Sequence, residues 1–436
     1  MTAALVFSAL WALGLLAAYL WLVRKESIAR LEKHSIRFGG MLVFLVASVA
    51  RLAPNAALPV GASFDVASYQ IVGSLLLQGQ DVYTAPEAQQ RHPYLPLQMY
   101  WMALAQRASQ VTGLSFVGLV RLAPVAADVA IAVLLYAWFS RRRMAGAALL
   151  AGLAYALNPL PVFVSAYHGQ FDSIPALCIL LSLFFLDRSP AGAGFWLGLG
   201  ILNKSWPALA LPSLLQGAPG WRRKALLLGV AGIVPLAGLA LYLALFDASL
   251  LDVIRRAVSY NHGVGAWGYT YFIVTLAFTF PALLSLGTFL VNLGRPATLV
   301  LLGLAWWRSA RRQTPQASLL TVLVVFLAVT HAFSIQYLMW VVPFAVLEQD
   351  HRWLRRFTLG AFAYMFLAYF TLILQWPVLS VLPWPQAHLY IIAPVGLPAW
   401  FVTLGWAYQR VFKMGLPAEK DVLPHPVDGL ASGAHS

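Results

Sequence analysis

ALVFSALWALGLLAAYLWLV, residues 4–23, carries no charged side chain. A helix needs roughly 20 such residues to cross about 30 Å of hydrocarbon. Apolar runs recur in AADVAIAVLLYAWF at 126–139, with Asp128 its one charge, and in ASLLTVLVVFLAVT at 317–330. None of these runs alternates apolar with polar positions, as the strands of a membrane barrel would. Over 436 residues the chain is 61% hydrophobic and 10% charged, with a mean hydropathy of +0.75. That leaves too little polar surface to cover a soluble globule of this size. The expected fold is all-α: a polytopic integral membrane protein of 11–13 transmembrane helices.

The first run lacks a basic n-region and a small-residue cleavage site, so it reads as a retained helix and not a signal peptide. One cysteine, Cys178, excludes an internal disulfide and a cysteine metal site. The formal charge of +14 does not imply nucleic acid. Its Lys and Arg gather at 24–37, 141–143, 222–224, 308–312 and 352–356, between apolar runs, where the positive-inside rule places cytoplasmic loops. This threading puts the N-terminus outside. It predicts spans at 4–23, 38–55, 115–139, 144–164, 173–187, 191–203, 205–218, 225–245, 293–307, 317–333, 336–347, 357–376 and 389–411, with an interfacial or re-entrant segment between 269 and the span at 293. Residues 1–413 form one domain on this reading. The Pro-, Gly-, His- and Ser-containing tail, 414–436, is a disordered cytoplasmic end.

The threading also leaves a loop at 56–114 on the outer face. Within it FDVASYQIVGSLLLQGQDVY, residues 64–83, interrupts the apolar pattern. Helices at 65–79 and 97–106 are expected there, the second too short to span and suited to the interface. Asp65, Asp81, Arg91, His92, Arg107, Arg121, His168, Asp172, Lys204, Arg255, Arg256, His262 and His331 all fall on outer span ends or outer loops in this threading. Ionisable groups at a membrane edge are expensive and point to function. A lone Asp beside a span is commonly a cap, but the convergence of cations where the positive-inside rule disfavours them fits an anionic ligand such as a lipid phosphate. Arg255, Arg256 and Lys204 lead that set. Asp128 and Arg121, seven apart on one face of a span, suit a structural ion pair or an inter-helix polar contact. There is no Asp-x-Asp and no metal-ligand spacing, so no metal is expected.

SAYHGQFDSIPALCILLSLFFLDR (165–188) followed by FWLGLGILNKSWPALALPSLL (195–215) resembles the GT-C superfamily of membrane glycosyltransferases. The likeness is to the bacterial mannosyltransferase-like branch that uses polyprenyl-phosphate sugars. The outer stretch at 64–83 with HPYLPLQMYW (92–101), YNHGVGAWGYTYF (260–272) and HAFSIQYLMWVVPF (331–344) fit the same picture. The helix at 4–23 departs from the family's usual start. The resemblance implies inverting transfer of a hexose, mannose favoured over glucose or arabinose, from a polyprenyl-phosphate carrier to a glycolipid or glycan acceptor, at the outer face of a bacterial inner membrane. Asp65 matches the family's acidic residue near the start of the first outer loop, and so would be the general base, ionised at neutral pH. Lys204, Arg255, Arg256, His262 and His331 would meet the donor phosphate. Tyr69, Trp267, Gln336 and Tyr337, with Gln170, would hold sugars, although aromatic belts line any membrane interface. His168 would either donate to the ligand or anchor Asp172. Asp172 suits an N-cap or an acceptor contact better than a second base. No cofactor is implied beyond the donor itself. Two other classes stay open on sequence: a lipid or sugar flippase, which Asn158-Pro159 and Asn203-Lys204 favour as helix breaks, and a non-catalytic scaffold of envelope synthesis.

Overall fold

The computed structural model describes residues 2–24, 26–27, 38–58, 60–142, 144–259, 265–374 and 387–413. Every regular element among them is helical. In hydrocarbon a backbone must satisfy its own hydrogen bonds, and a helix does so within one segment. Six helices are long and apolar enough to cross a membrane: Ala3–Leu22, Gly39–Ala57, Phe116–Ser140, Gly220–Phe246, Pro281–Ala310 and His388–Lys413. A seventh forms if Ala145–Leu157 and Pro159–His168, bent by 42°, count as one span. The protein is therefore an all-α polytopic membrane protein.

Four further apolar helices, Ser173–Phe185, Tyr269–Thr279, Pro315–Val329 and Ile335–Leu347, are shorter. The expectation of 11–13 full spans is not met among the described residues, and the reason lies at polar or proline breaks. Asn158 ends one helix and caps the next by accepting from the Leu160 amide. Lys204, in extended conformation, ends the helix Pro190–Asn203. The stretch expected as a short span at 293–307 is instead part of a helix running from Leu284 to Ala310. It is preceded by a short helix, Tyr269–Thr279, and a break at Phe280–Pro281.

The described residues of the basic clusters from Arg141 onward converge on one end of the bundle. The Arg141 guanidinium lies 4.2 Å from the Phe184 ring centroid, and Arg223 donates to the Asp187 carbonyl at 3.2 Å. Gln216 donates to the carbonyls of Ala310 and Gln313. Arg308 donates to the Val411 carbonyl at 2.9 Å, and Arg410 pairs with Asp350 at 3.1 Å.

The first loop folds as two helices, α1 (Ser63–Leu77) and α2 (Leu97–Thr112). They approach closely at Gly73, where a Cβ would sit 2.6 Å from the Met102 carbonyl oxygen. Tyr69, Val72, Leu75 and Leu76 of α1 and Met99 and Met102 of α2 bury a core separate from that of the spans. Tyr242, on the helix Gly220–Phe246, fastens this unit to the bundle. Its hydroxyl donates to Asp81 at 2.8 Å and accepts from the Val82 amide at 2.9 Å.

Of the two roles read from sequence for Arg121 and Asp128, the structure shows polar contacts to other segments and no pair between the two. Asp128 pairs with Arg51 at 2.9 Å, both fully buried, and accepts from Tyr155 and Ser165 at 2.5 and 2.6 Å. Arg121 turns away and donates to the carbonyls of Leu58, Val60 and Tyr167. It thereby staples the start of the first loop to the turn that carries His168.

Candidate active site

Asp65 lies in the first turn of α1, where the free amides and the helix dipole favour a carboxylate. Its Oδ2 is 2.5 Å from His168 Nε2, and its side chain keeps 29% of its surface exposed. His168 closes a π-helical turn, Phe163–His168, a bulge of a kind that recurs at functional sites. Gly169 follows at φ +90°, a left-handed backbone that suits glycine and turns the chain sharply. On its other side the imidazole meets the Tyr369 hydroxyl at 2.8 Å through Nδ1. The imidazole thus bridges the Asp65 carboxylate and the Tyr369 hydroxyl.

The two-residue step from Gly169 brings Gln170 and Asp172 to the same side. Gln170 lies within hydrogen-bonding reach of Asp65 and accepts from Lys204 Nζ through Oε1 at 3.1 Å. Burial alone would raise the Asp65 carboxyl. The hydrogen bond and charge of His168, with Gln170 and Lys204, outweigh that and hold it below the ordinary carboxylate range. Asp65 is therefore ionised throughout the neutral range, with one oxygen oriented by His168.

Asp172 precedes the helix Ser173–Phe185 but makes no capping bond. Its Oδ2 pairs with Lys204 at 2.7 Å and its Oδ1 accepts from the Trp340 indole at 2.8 Å. Both charged groups are buried, at 0% and 3% exposure. Trp340 stacks on Trp206 at 4.3 Å and lies 4.2 Å from Tyr337. The Lys204 ammonium also lies 5.1 Å from the Tyr94 ring centroid. A continuous polar chain thus runs from Tyr369 through His168, Asp65, Gln170 and Lys204 to Asp172 and Trp340.

The remaining residues singled out from sequence are placed elsewhere. Tyr69 is buried, its ring 4.5 Å from Phe171. Arg255 is 68% exposed and pairs with Asp252 at 3.4 Å. Arg256 donates to the carbonyls of Tyr83 and Ala85. The two arginines line a depression of about 430 Å³ with Tyr83, Gln89 and Gln90. His331 packs at Gly294, where an added Cβ would lie 2.9 Å from its own; burial, with Arg295 nearby, lowers its pKa. Trp267 belongs to the core, bonded through its indole to the Leu327 carbonyl and stacked on Phe333 at 4.4 Å. Gln336 is buried at 6% exposure. His262 lies outside the described residues. Among the described residues no group of three or more His, Cys, Asp or Glu could hold a metal ion. Tyr369, Tyr94 and the pairing of Trp340 with Asp172 were not among the roles read from sequence. Tyr369 stands in an unmarked apolar run, whereas Tyr94 and Trp340 lie in the stretches 92–101 and 331–344 already singled out; only the fold brings all three to the motif at 168–172.

An all-α membrane protein with an ionised carboxylate and a buried lysine–aspartate pair joined at the end opposite its basic clusters has the form of a membrane enzyme. The family model of glycosyltransferase family 87 matches residues 111–334, just over half of the chain, and the protein belongs to that family. It is accordingly a membrane glycosyltransferase, which sets aside the flippase and scaffold readings. The matched region carries His168, Gln170, Asp172 and Lys204. Asp65 lies before it and reaches the others through the fold. A second similarity is short: 39% identity over 61 residues to GPI mannosyltransferase 1 of Debaryomyces hansenii, covering 14% of this chain and 14% of that protein.

Proposed function

We propose that the protein transfers a hexose, mannose in the first instance, from a polyprenyl-phosphate carrier to a hydroxyl of a glycolipid or glycan acceptor, with inversion and with Asp65 as general base. The observation that carries this reading is the Asp65–His168 contact at 2.5 Å within a chain of the glycosyltransferase family. The acceptor oxygen attacks the anomeric carbon as the bond from that carbon to the phosphate oxygen breaks. The hydroxyl proton passes to Asp65, and the carrier leaves as its phosphate. A carboxylate with a lowered pKa is a weaker base than a free one, which suits a transfer in which bond breaking runs ahead and the proton moves late.

The ammonium of Lys204 is matched by Asp172, so on this proposal it orients Gln170 and, through it, Asp65. On this proposal the developing phosphate charge is left to the other cations read from the sequence, Arg255, Arg256, His262 and His331, since donors near a leaving anion stabilise it. The active site faces the exoplasmic side of a bacterial inner membrane, because the basic clusters gather at the opposite end and mark the cytoplasmic face. The short likeness to a mannosyltransferase supports mannose as the sugar. The test is to incubate the purified protein in lipid with labelled polyprenyl-phosphate mannose, glucose and arabinose and an extract of membrane lipids. Label moving from the mannosyl donor to a lipid or glycan product is expected; no transfer from any of the three, with transfer from a labelled nucleotide sugar run in parallel, would overturn the donor assignment.

A further inference from the structure

Beside the Lys204–Asp172 pair, the structure leaves three buried polar atoms without a hydrogen-bond partner: His92 Nε2, Gln98 Nε2 and Asn203 Oδ1. The side chains are 2%, 2% and 1% exposed, so bulk water does not satisfy them. A buried group in this condition costs about 1–3 kcal/mol, and native folds keep few of them.

Gln98 and Asn203 are joined by a hydrogen bond, and His92 lies against the tyrosine that the Lys204 ammonium covers. Asn203 donates to Gln98 Oε1 at 2.7 Å, which satisfies one half of each amide and leaves a donor on Gln98 and an acceptor on Asn203. Asn203 directly precedes Lys204, whose ammonium lies over Tyr94. The His92 ring stands edge-on to the same tyrosine, centroids 5.4 Å apart. The backbone of Leu95 holds the His92 ring, and burial, with Lys204 nearby, pushes the imidazole down to about 3, so the ring is neutral. With Lys204 neutralised by Asp172, no net charge is offered to a ligand. What remains is a neutral donor, a neutral acceptor and an imidazole nitrogen around an aromatic face. A sugar ring presents the complement to that set: hydroxyls that both donate and accept, and C–H groups that pack on an aromatic face.

We infer that His92, Gln98 and Asn203 form a hydroxyl-binding subsite that takes a neutral sugar ring beside the Asp65 centre. This rests on the glycosyl-transfer reading and deepens it. The ring comes either from the donor or from the acceptor, and the kinetics separate the two. The site is formed across sequence: His92 and Gln98 flank the turn into α2, and Asn203 ends the helix Pro190–Asn203.

The experiment compares wild type with Gln98→Leu/Asn203→Leu and with His92→Phe. It uses polyprenyl-phosphate mannose, its monodeoxy analogues and the acceptor found with wild type, and it measures a thermal melt of each protein. Sites that hydrogen-bond a substrate hydroxyl discriminate strongly against its loss. The expected result is a rise of tenfold or more in KM for one substrate, donor or acceptor, with melting unchanged or raised. One deoxy analogue should be impaired with wild type and no further impaired with the variants. A lowered melting temperature with both KM values unchanged would overturn the inference and assign the three atoms to a structural water. Absence of any hexosyl transfer by wild type would count against the functional reading instead, so the two failures are distinguishable.

Discussion

Replacing Lys204 with Met tests how firmly the structure commits this lysine. Asp172 is fully buried, and its partners are the Lys204 ammonium at 2.7 Å and the Trp340 indole at 2.8 Å. Without the ammonium a buried carboxylate keeps one neutral donor. Removing one partner of a buried ion pair costs about 3–5 kcal/mol, because the remaining charge stays desolvated. Asp172→Asn should cost a similar amount by stranding the ammonium against Gln170 and the Tyr94 face. The double variant Lys204→Met/Asp172→Asn carries no charge and nearly the same volume. It should recover most of the loss, so that the coupling energy, the change in the double variant less the sum of the two single changes, exceeds in magnitude the range of about 0.5–3 kcal/mol usual for contacting residues. The assay is denaturant or thermal unfolding of the four proteins in one detergent, followed by tryptophan fluorescence. If Lys204→Met unfolds like wild type and only weakens donor binding, the ammonium is a free phosphate grip and the pairing argument fails.

His168→Gln removes a group that stabilises the Asp65 carboxylate, so the Asp65 pKa should rise. The acid limb of the transfer rate should then move to higher pH than in wild type, whose lowered Asp65 pKa predicts a rate level through the neutral range. A pH–rate profile unaltered by the substitution would contradict the contact. Glu348, at the basic end, has its pKa raised to about 7 by burial, against the lowering effect of Arg410. A raised carboxyl contributes stability that is full below its unfolded value near 4.5 and is lost as pH rises through about 7. Glu348→Gln should therefore melt with less pH dependence between these values than wild type, as parallel thermal scans would report. Gly73→Ala places a methyl 2.6 Å from the Met102 carbonyl and should cost about 1–3 kcal/mol by overpacking α1 against α2, read from the same unfolding assay.

Much of the fold is legible in the amino-acid sequence because hydrocarbon solvent leaves few choices. Twenty apolar residues become a helix, and the basic clusters mark one end. The two helices of the first loop and the motif at 168–172 also follow from local pattern. The number of full spans does not. Asn158 and Lys204 divide apolar runs into segments shorter than a span, and the Phe280–Pro281 break cuts the short helix Tyr269–Thr279 from the long one after it; hydropathy alone does not register such breaks. Pairings are the least legible part. Arg121 and Asp128 share a helix face by spacing, yet Asp128 reaches Arg51 from another helix, a residue hidden in an apolar run. Tyr369 enters the site from a stretch with no polar signal, through a contact 201 residues distant in sequence. The residues that complete a buried polar network are those whose partners are far away in the chain, and spacing carries no information about them.

The most direct measurement is the rate of hexosyl transfer by Asp65→Asn, in protein whose unfolding matches wild type and whose donor binding is intact. Loss of a general base lowers turnover by about 10²–10⁴-fold, and a fall in kcat of that size with donor affinity preserved is the predicted result. Turnover within a few-fold of wild type would contradict the assignment of Asp65 and, with it, the reaction proposed for this site.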